Sequence, residues 1–501
     1  MIRRGCEAAP WFRIRPTFAN GEQTVIFSLA PSGLTGLLIS AALTLCSATQ
    51  AFGEAKLRSD VEKELGPRQA AYQASPGSDQ NRRAYADILF KLGDIWQAND
   101  IIAPLATPWS SNLDDLQLGA KLALLTSDYH RAEILFDRQL EIAPKTSDAH
   151  TKAVEGLAMV YYQSNQYAKA KRLSLPPAPT DEENDTNDLL TFMQRFPGEP
   201  YQIEWATPEK VAHLPMINDI TAPGALPLMR LDVNGQTVEF ILDTGGDRLY
   251  IDEGVAAKLG IKHISERKAK YAYTNGQTVT EPLGVADTVR LGQVTLKNVP
   301  VIVAKWKVMG LTSDGVITTQ ILKQFLSTMD YTNKEIVFRE RSASGRRQLL
   351  AAFEGKTPYQ MPFFLAGTHL QFAKGCLNGH SGLNLLVDSG LALSLPLVVP
   401  DETVEFLGLS KTPIPNTKFF VSPIESHGLD HLIRGATQAA SNIFVEKNMY
   451  WVNGFPLDGL ISHQYLWHLG SWTIDFDNMT YYFPAQANSI DVAAAKCTAP
   501  E

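Results

Sequence analysis

The chain has 501 residues, which is enough for two or three domains that each bury a core. Hydrophobic residues make up 45% and charged residues 20%, a composition typical of globular proteins that argues against a disordered chain or a coiled coil. The net charge of −8 argues against nucleic acid as a partner.

The N-terminus has the layout of a secretory signal. Several arginines precede an apolar stretch at residues 25–45, and small residues follow it up to Ala51. This order predicts cleavage after Ala51, so we expect residues 1–51 to be removed from a protein that is exported to the periplasm or secreted. The alternative is that the segment stays uncleaved and anchors the protein in a membrane, because its apolar stretch approaches the length of a bilayer span.

Cysteine usage is compatible with export. Cleavage after Ala51 would leave two cysteines, Cys376 and Cys497. These two would form one disulfide in an oxidising compartment, or they would remain unpaired thiols. The sequence alone leaves both alternatives open.

Residues 56–173 are predicted to form a helical domain, because apolar residues recur there at helical spacing. Three segments align on a final alanine at intervals of 34 and 38 residues, namely 93–98, 127–132 and 165–170. Paired helices with this period resemble tetratricopeptide repeats. The aromatic, alanine, aromatic and proline positions of that pattern are matched by Tyr129, Ala132, Phe136 and Pro144. A plain helical bundle is the alternative, and either one would offer a surface to a protein partner without a residue cluster suited to chemistry.

A linker is predicted at residues 174–200. Its first part is rich in proline and then acidic, as in the run from Pro176 to Asp185. Such a composition cannot pack a core. We therefore expect this segment to separate the helical domain from the region that follows.

A β-hairpin is predicted on both sides of Asn234 and Gly235. Apolar residues alternate with polar ones before and after this pair, and Asn-Gly is the preferred two-residue turn between two strands. The returning strand ends at Asp243, where Thr244 and Gly245 require a sharp turn. The hairpin thus predicts that Asp243 lies at the end of a strand.

Three landmarks of this region occur twice, 144 or 145 residues apart. They are the segments 239–247 and 385–390, 314–322 and 458–466, and 329–331 and 474–476. The first pair contains Asp243-Thr244-Gly245 in one half and Asp388-Ser389-Gly390 in the other. This near-constant register predicts a duplicated domain with one Asp-Thr/Ser-Gly motif in each half.

The two motifs suit the chemistry of peptide hydrolysis. Two carboxyls a few ångström apart cannot both ionise, so one stays protonated as an acid while the other deprotonates a water between them. Glycines let the backbone come close, and the hydroxyls of Thr244 and Ser389 are placed to hydrogen-bond across a twofold axis. The alternative is two ordinary turns, because a lone Asp-Thr-Gly is a weak signal.

On these motifs, residues 222–485 resemble the retropepsin–pepsin superfamily of aspartic peptidases in a two-lobed, single-chain form. The resemblance implies a duplicated all-β fold with lobe 1 at 222–345 and lobe 2 at 355–485, so that the whole chain is a multidomain α+β protein. It also implies catalysis by Asp243 and Asp388, supported by Thr244, Gly245, Ser389 and Gly390. A flap hairpin is implied at Tyr273, Asn275 and Gly276.

The resemblance implies a peptide or protein substrate and neither a cofactor nor a metal. The chain departs from the family pattern where an apolar pair is usually followed by glycine, since Thr318 and Ser462 occupy those two positions. Two functions from different classes therefore stay open. The first is an exported aspartic endopeptidase, and the second is a non-catalytic binding or scaffold protein that uses the helical region and a degenerate cleft.

Overall fold

The structure is a computed structural model that describes residues 57–175, 185–222, 224–270, 278–305, 312–392, 394–415, 417, 419–441, 450–451 and 454–485. The predicted signal at 1–51, the flap residues Tyr273, Asn275 and Gly276, and Cys497 lie outside these ranges. Within the described ranges, no helix has both the length and the apolar character needed to cross a bilayer.

The described N-terminal part is helical, as the sequence predicts. Its elements are α1 (Arg58–Ala74), α2 (Asp79–Lys91), α3 (Ile95–Ile102), α4 (Leu113–Leu125), α5 (Tyr129–Ile142), α6 (Asp148–Gln163) and a 3₁₀ helix (Tyr167–Arg172). Four α-helices begin at a side chain that accepts a hydrogen bond from a backbone N–H in the first turn, the usual helix-capping arrangement. These capping residues are Ser78, Asn112, Asp128 and Ser147.

The same turn recurs at the three aligned segments of the helical domain. Gly93, Ser127 and Asn165 have φ values of 76°, 59° and 60°, and each lies between two helical elements that pack as a pair. Since the sequence intervals predict a repeated helix–turn–helix unit, the turns agree with that expectation. Membership of the tetratricopeptide family stays a prediction.

The predicted linker is wrong in its second half, where helix α7 spans Asp185–Arg195. Its apolar residues Leu189, Leu190, Phe192 and Met193 are buried. The ring of Phe192 lies 6.2 Å from that of Tyr167 in the preceding 3₁₀ helix. The prolines and acids before residue 185 are typical of a linker, but the apolar residues after it form one face of a helix and are buried.

The remainder of the chain is rich in β-strands. In lobe 1 and its flanks these are β1 (Gln202–Trp205), β2 (Val211–Pro215), β3 (Leu228–Val233), β4 (Gln236–Asp243), β5 (Leu249–Asp252), β6 (Lys262–Lys270), β7 (Thr278–Leu291), β8 (Val294–Ala304), β9 (Gly315–Thr318), β10 (Leu326–Asp330) and β11 (Glu335–Arg339). Short helices are α8 (Glu253–Lys258), α9 (Thr319–Leu322) and α10 (Ala343–Ala351). The strands β8, β5, β9, β4, β3 and β7 pair in that order, and pairing of β7 with β8 closes them into a six-stranded barrel.

The predicted second lobe also consists mainly of strands. Its strands are β12 (Tyr359–Ala366), β13 (Leu370–Leu377), β14 (His380–Val387), β15 (Leu397–Val398), β16 (Thr412–Pro413), β17 (Phe420–Ile424), β18 (His427–Leu429), β19 (Thr437–Ser441), β20 (Gly459–Ile461), β21 (Ser471–Asp475) and β22 (Thr480–Phe483). Its helices are α11 (Asp401–Phe406), α12 (His463–Leu466) and a 3₁₀ turn (Trp467–Leu469). Strand β14 runs parallel to β20, as β4 runs parallel to β9.

One sheet joins the two lobes. The strands β12, β22, β21, β10, β11 and β2 follow one another in it, and β10 of lobe 1 pairs directly with β21 of lobe 2. Thr328 faces Thr473 in this pairing, and their hydroxyl oxygens are 2.7 Å apart. The fold is thus α+β, with a helical part followed by a β-rich part.

Candidate active site

The strand geometry delivers both motif aspartates to the centre of the β-rich part. Asp243 is the last residue of β4, where its backbone pairs with Thr318 of β9. Asp388 follows β14 directly, and its N–H donates to the carbonyl of Ile461 on β20. Both residues are 1% exposed, and the two carboxyls are close enough for each to affect the pKa of the other.

The second residue of each motif links the two loops reciprocally. The N–H of Thr244 donates to Ser389 Oγ at 3.0 Å, and the N–H of Ser389 donates to Thr244 Oγ1 at 2.9 Å. The hydroxyl of Thr244 also donates to the carbonyl of Val387 at 2.9 Å. Because each hydroxyl meets the backbone of the other lobe, the loops keep a fixed register and the carboxyls are held together.

The glycines of the two motifs make room for the opposite carboxyl. A Cβ on Gly390 would lie 2.0 Å from Asp243 Cγ, and a Cβ on Gly245 would lie 2.8 Å from Asp388 Oδ1. Each glycine N–H also donates to the aspartate of its own motif, at 2.7 Å for Gly245 and 2.9 Å for Gly390. Any larger residue would therefore push the pair apart.

We expect Gly390→Ala to destabilise the protein by about 2 kcal/mol, because overpacking a filled site forces atoms to shift. Urea unfolding followed by circular dichroism measures this change. Gly435→Ala is the matched control, since a Cβ there meets nothing within 4 Å. Equal stability of the two variants would contradict the close packing of Gly390 on Asp243.

The environment raises the pKa of both carboxyls. Burial is the main cause for Asp243, followed by the charge of Asp388, and together they raise its pKa well above the usual value. Burial raises the pKa of Asp388 to about 6, although hydrogen bonds from Asp243 and the nearby backbone act in the opposite direction. Among the described residues, no donor reaches the buried Asp243 Oδ2. A proton shared by the two carboxyls would satisfy this oxygen and would leave the pair with one negative charge.

Thr318 and Ser462, which occupy the positions where the family pattern has glycine, each hydrogen-bond through the hydroxyl to the loop that follows a motif. Thr318 Oγ1 donates to the carbonyl of Asp247 at 2.5 Å, and Ser462 Oγ donates to the carbonyl of Leu395 at 2.7 Å. A Cβ on Gly246 would lie 2.6 Å from the methyl carbon of Thr318, so that methyl occupies the space of a side chain at 246. The absence of a side chain at Gly246 thus makes room for the methyl group of Thr318.

Four residues that the sequence analysis gave no role surround the motif of lobe 1. The Asp247 carboxylate lies 3.3 Å from Arg248 Nη1 and accepts a hydrogen bond of 2.5 Å from the Tyr162 hydroxyl. These charges and the hydrogen bond outweigh burial and lower the pKa of Asp247. His369 of lobe 2 lies near Asp247, and burial lowers its pKa to about 4. The position of Asp247 two residues after the motif was the one available signal in the sequence.

Cys376 is disulfide-bonded. It lies on β13, and the other cysteines of the chain are outside the described residues. The bond supports the expectation of a disulfide but does not identify Cys497 as the partner.

Comparison with known proteins points to one class. Residues 229–321, which contain Asp243, match a family model described as Aspartyl protease. No curated protein matches the chain. Among solved structures, the chain is similar to a retropepsin-like aspartic protease from Rickettsia conorii, with 17% identity over 28% of this chain and 94% of that chain and a TM-score of 0.19. It is also similar to edgp, with 10% identity over 58% of this chain and 98% of that chain and a TM-score of 0.31. The family match supports the aspartic-protease class for the region that it covers.

Proposed function

We propose that this protein is an aspartic endopeptidase in which Asp243 and Asp388 activate a water. The observation that carries the proposal is the reciprocal hydrogen bonding of Thr244 and Ser389, because it holds two buried carboxyls together. A purely structural pair of like charges in a dry interior would be costly. A catalytic site needs an acid and a base side by side, and this need explains why the pair is present despite its cost in folding free energy.

The two pKa shifts suggest how the roles divide. Asp243 keeps its proton to higher pH, so it donates that proton to the carbonyl oxygen of the scissile peptide. Asp388 accepts a proton from the water, whose oxygen then bonds to the carbonyl carbon. In the second step the carbon–nitrogen bond breaks, Asp388 gives its proton to the departing amine, and a hydroxyl of the intermediate returns a proton to Asp243. Both carboxyls then regain their starting states.

The proposal includes an exported location and a duplicated origin of the two lobes. Export is supported by the basic, apolar and small residues of the first 51 positions and by the disulfide at Cys376. Duplication is supported by the matching parallel pairs β4–β9 and β14–β20. A peptide or unfolded protein is the proposed substrate, and the helical domain is a candidate contact surface for a protein partner.

A second candidate is a non-catalytic peptide-binding protein, and the burial of both carboxyls favours it. One assay separates the candidates. The full chain is incubated with unfolded casein from pH 3 to pH 8, with and without a statine-type inhibitor, and the fragments are identified by mass spectrometry. The peptidase predicts internal cleavage that the inhibitor abolishes, whereas inhibitor binding without cleavage at any pH would favour the binding protein.

A further inference from the structure

Apolar residues beside the carboxyl pair pack in one cluster with the helical domain. Side chains alternate along a strand, so Ile241 shares the face of Asp243, and Leu386 shares the face of Asp388. Both apolar residues belong to the hydrophobic cluster that also contains the core of the helical domain. Leu242, by contrast, belongs to the core of the lobes. The strand faces that carry the two aspartates therefore pack toward the helical domain, whereas the opposite faces pack within the lobes.

Helix α6 makes a polar contact directly beside the motif of lobe 1. The Tyr162 hydroxyl donates to Asp247 Oδ1 at 2.5 Å, and both residues are buried. The guanidinium of Arg248 lies between two rings of the helical domain, 5.0 Å from the ring centre of Tyr162 and 4.9 Å from that of Phe192. The loop that follows Asp243 is thus held by side chains of α6 and α7.

Helix α7 makes a second contact, at the hairpin of β6 and β7. The Asp188 carboxylate accepts a hydrogen bond of 2.8 Å from the N–H of Lys268, which lies on the outer strand β6. Ala269, the next residue, is 3% exposed and belongs to the cluster shared with the helical domain. Helix α7 therefore holds the outer strand β6.

Other bonds, such as those of Arg58 with Asp458 and of Lys323 with Gln163, also join the helical part to the lobes. We propose that the helical domain and helix α7 form a built-in lid on the carboxyl pair, held on lobe 1 by Tyr162 at Asp247 and by Asp188 at Lys268. This inference rests on the proposed peptidase function and adds its regulation. The closed form excludes substrate because both carboxyls are only 1% exposed. Peptide hydrolysis then requires the lid to open, so signals that loosen these two contacts turn the enzyme on.

Two variants of the full chain loosen the lid without touching the carboxyl pair. Tyr162→Phe removes the hydroxyl and keeps the ring beside Arg248, while Asp188→Ala removes the acceptor of the Lys268 N–H. The matched control is Tyr161→Phe. Tyr161 is equally buried, but among the described residues its hydroxyl hydrogen-bonds only with Glu133 and Arg172 of the helical domain. Loss of a hydrogen bond to a charged group should increase the open population about tenfold.

Two measurements on each protein test the lid. Hydrogen–deuterium exchange reports opening at residues 239–250 and 383–392, and casein cleavage reports activity. We expect both rates to rise about tenfold in Tyr162→Phe and Asp188→Ala and to stay at the wild-type level in Tyr161→Phe. Unchanged exchange in both variants, or an equal rise in the control, would overturn the lid and leave the peptidase proposal standing if casein is cleaved. Faster exchange with no cleavage by any of the proteins would support the lid and count against the peptidase.

Discussion

Asp243→Asn and Asp388→Asn should each lower the kcat for peptide cleavage by about 10³-fold, because acid and base must act in the same transition state. Asparagine keeps the shape of the side chain and still accepts the N–H of Gly245 or Gly390, so folding should be retained. The double variant should be little worse than either single one, since residues that act as a unit are not additive. Steady-state kinetics on a fluorogenic peptide measures all three variants.

The matched control for these variants is Asp252→Asn. Asp252 is a buried aspartate of the same lobe whose side chain accepts the N–H of Gly254 at the start of helix α8, and asparagine caps helices equally well. The control should therefore keep its kcat. If Asp243→Asn or Asp388→Asn cleaved at a rate near that of the control, the two-carboxyl mechanism would be wrong.

Asp388→Asn should also make the protein more stable than the wild type at pH 7. The folded pKa of Asp388 is about 6 and the usual value is 3.8, so ionisation of this carboxyl costs folding free energy. A carboxyl whose pKa is raised in the folded state stabilises it below the unfolded pKa and loses that contribution as pH rises through the folded pKa. The shift corresponds to a gain of about 3 kcal/mol for the neutral asparagine at pH 7.

The difference in the free energy of unfolding should shrink as pH falls from about 6 and should vanish below pH 4, because the wild-type carboxyl is then protonated in both states. Denaturant unfolding of both proteins at several pH values measures it. If Asp388→Asn were less stable than the wild type at pH 7, and if the two proteins differed in stability at every pH, the raised pKa of Asp388 would be contradicted.

Local sequence signals predicted the parts of the site that lie within single hairpins. Asn234 and Gly235 have φ values of 51° and 81°, which is the turn that their sequence indicates, and the strands on either side pair as expected. The repeated motif with its spacing of 145 residues predicted that Thr244 would meet Ser389. A motif that occurs twice makes such a long-range contact predictable, because each copy indicates the other as its partner.

Contacts between the helical domain and the lobes could not be predicted. Tyr162 and Asp247 are 85 residues apart, and Asp188 and Lys268 are 80 residues apart. No symmetry relates these partners, and the sequence around a single tyrosine or aspartate on a helix does not indicate its contact partner. Helix α7 was within reach of sequence analysis, since its apolar residues recur at helical spacing.

The pairing of β10 with β21 has a consequence for any attempt to express one lobe alone. A chain that ends after Arg339 would expose the full edge of β10 with its unpaired N–H and C=O groups, and such edges recruit other strands. Thr328 faces its counterpart Thr473 across the axis, so a second copy of the same half would present Thr328 at the same place. An isolated half would thus tend to self-associate in solution, and its behaviour would report on a two-chain assembly instead of a monomeric lobe.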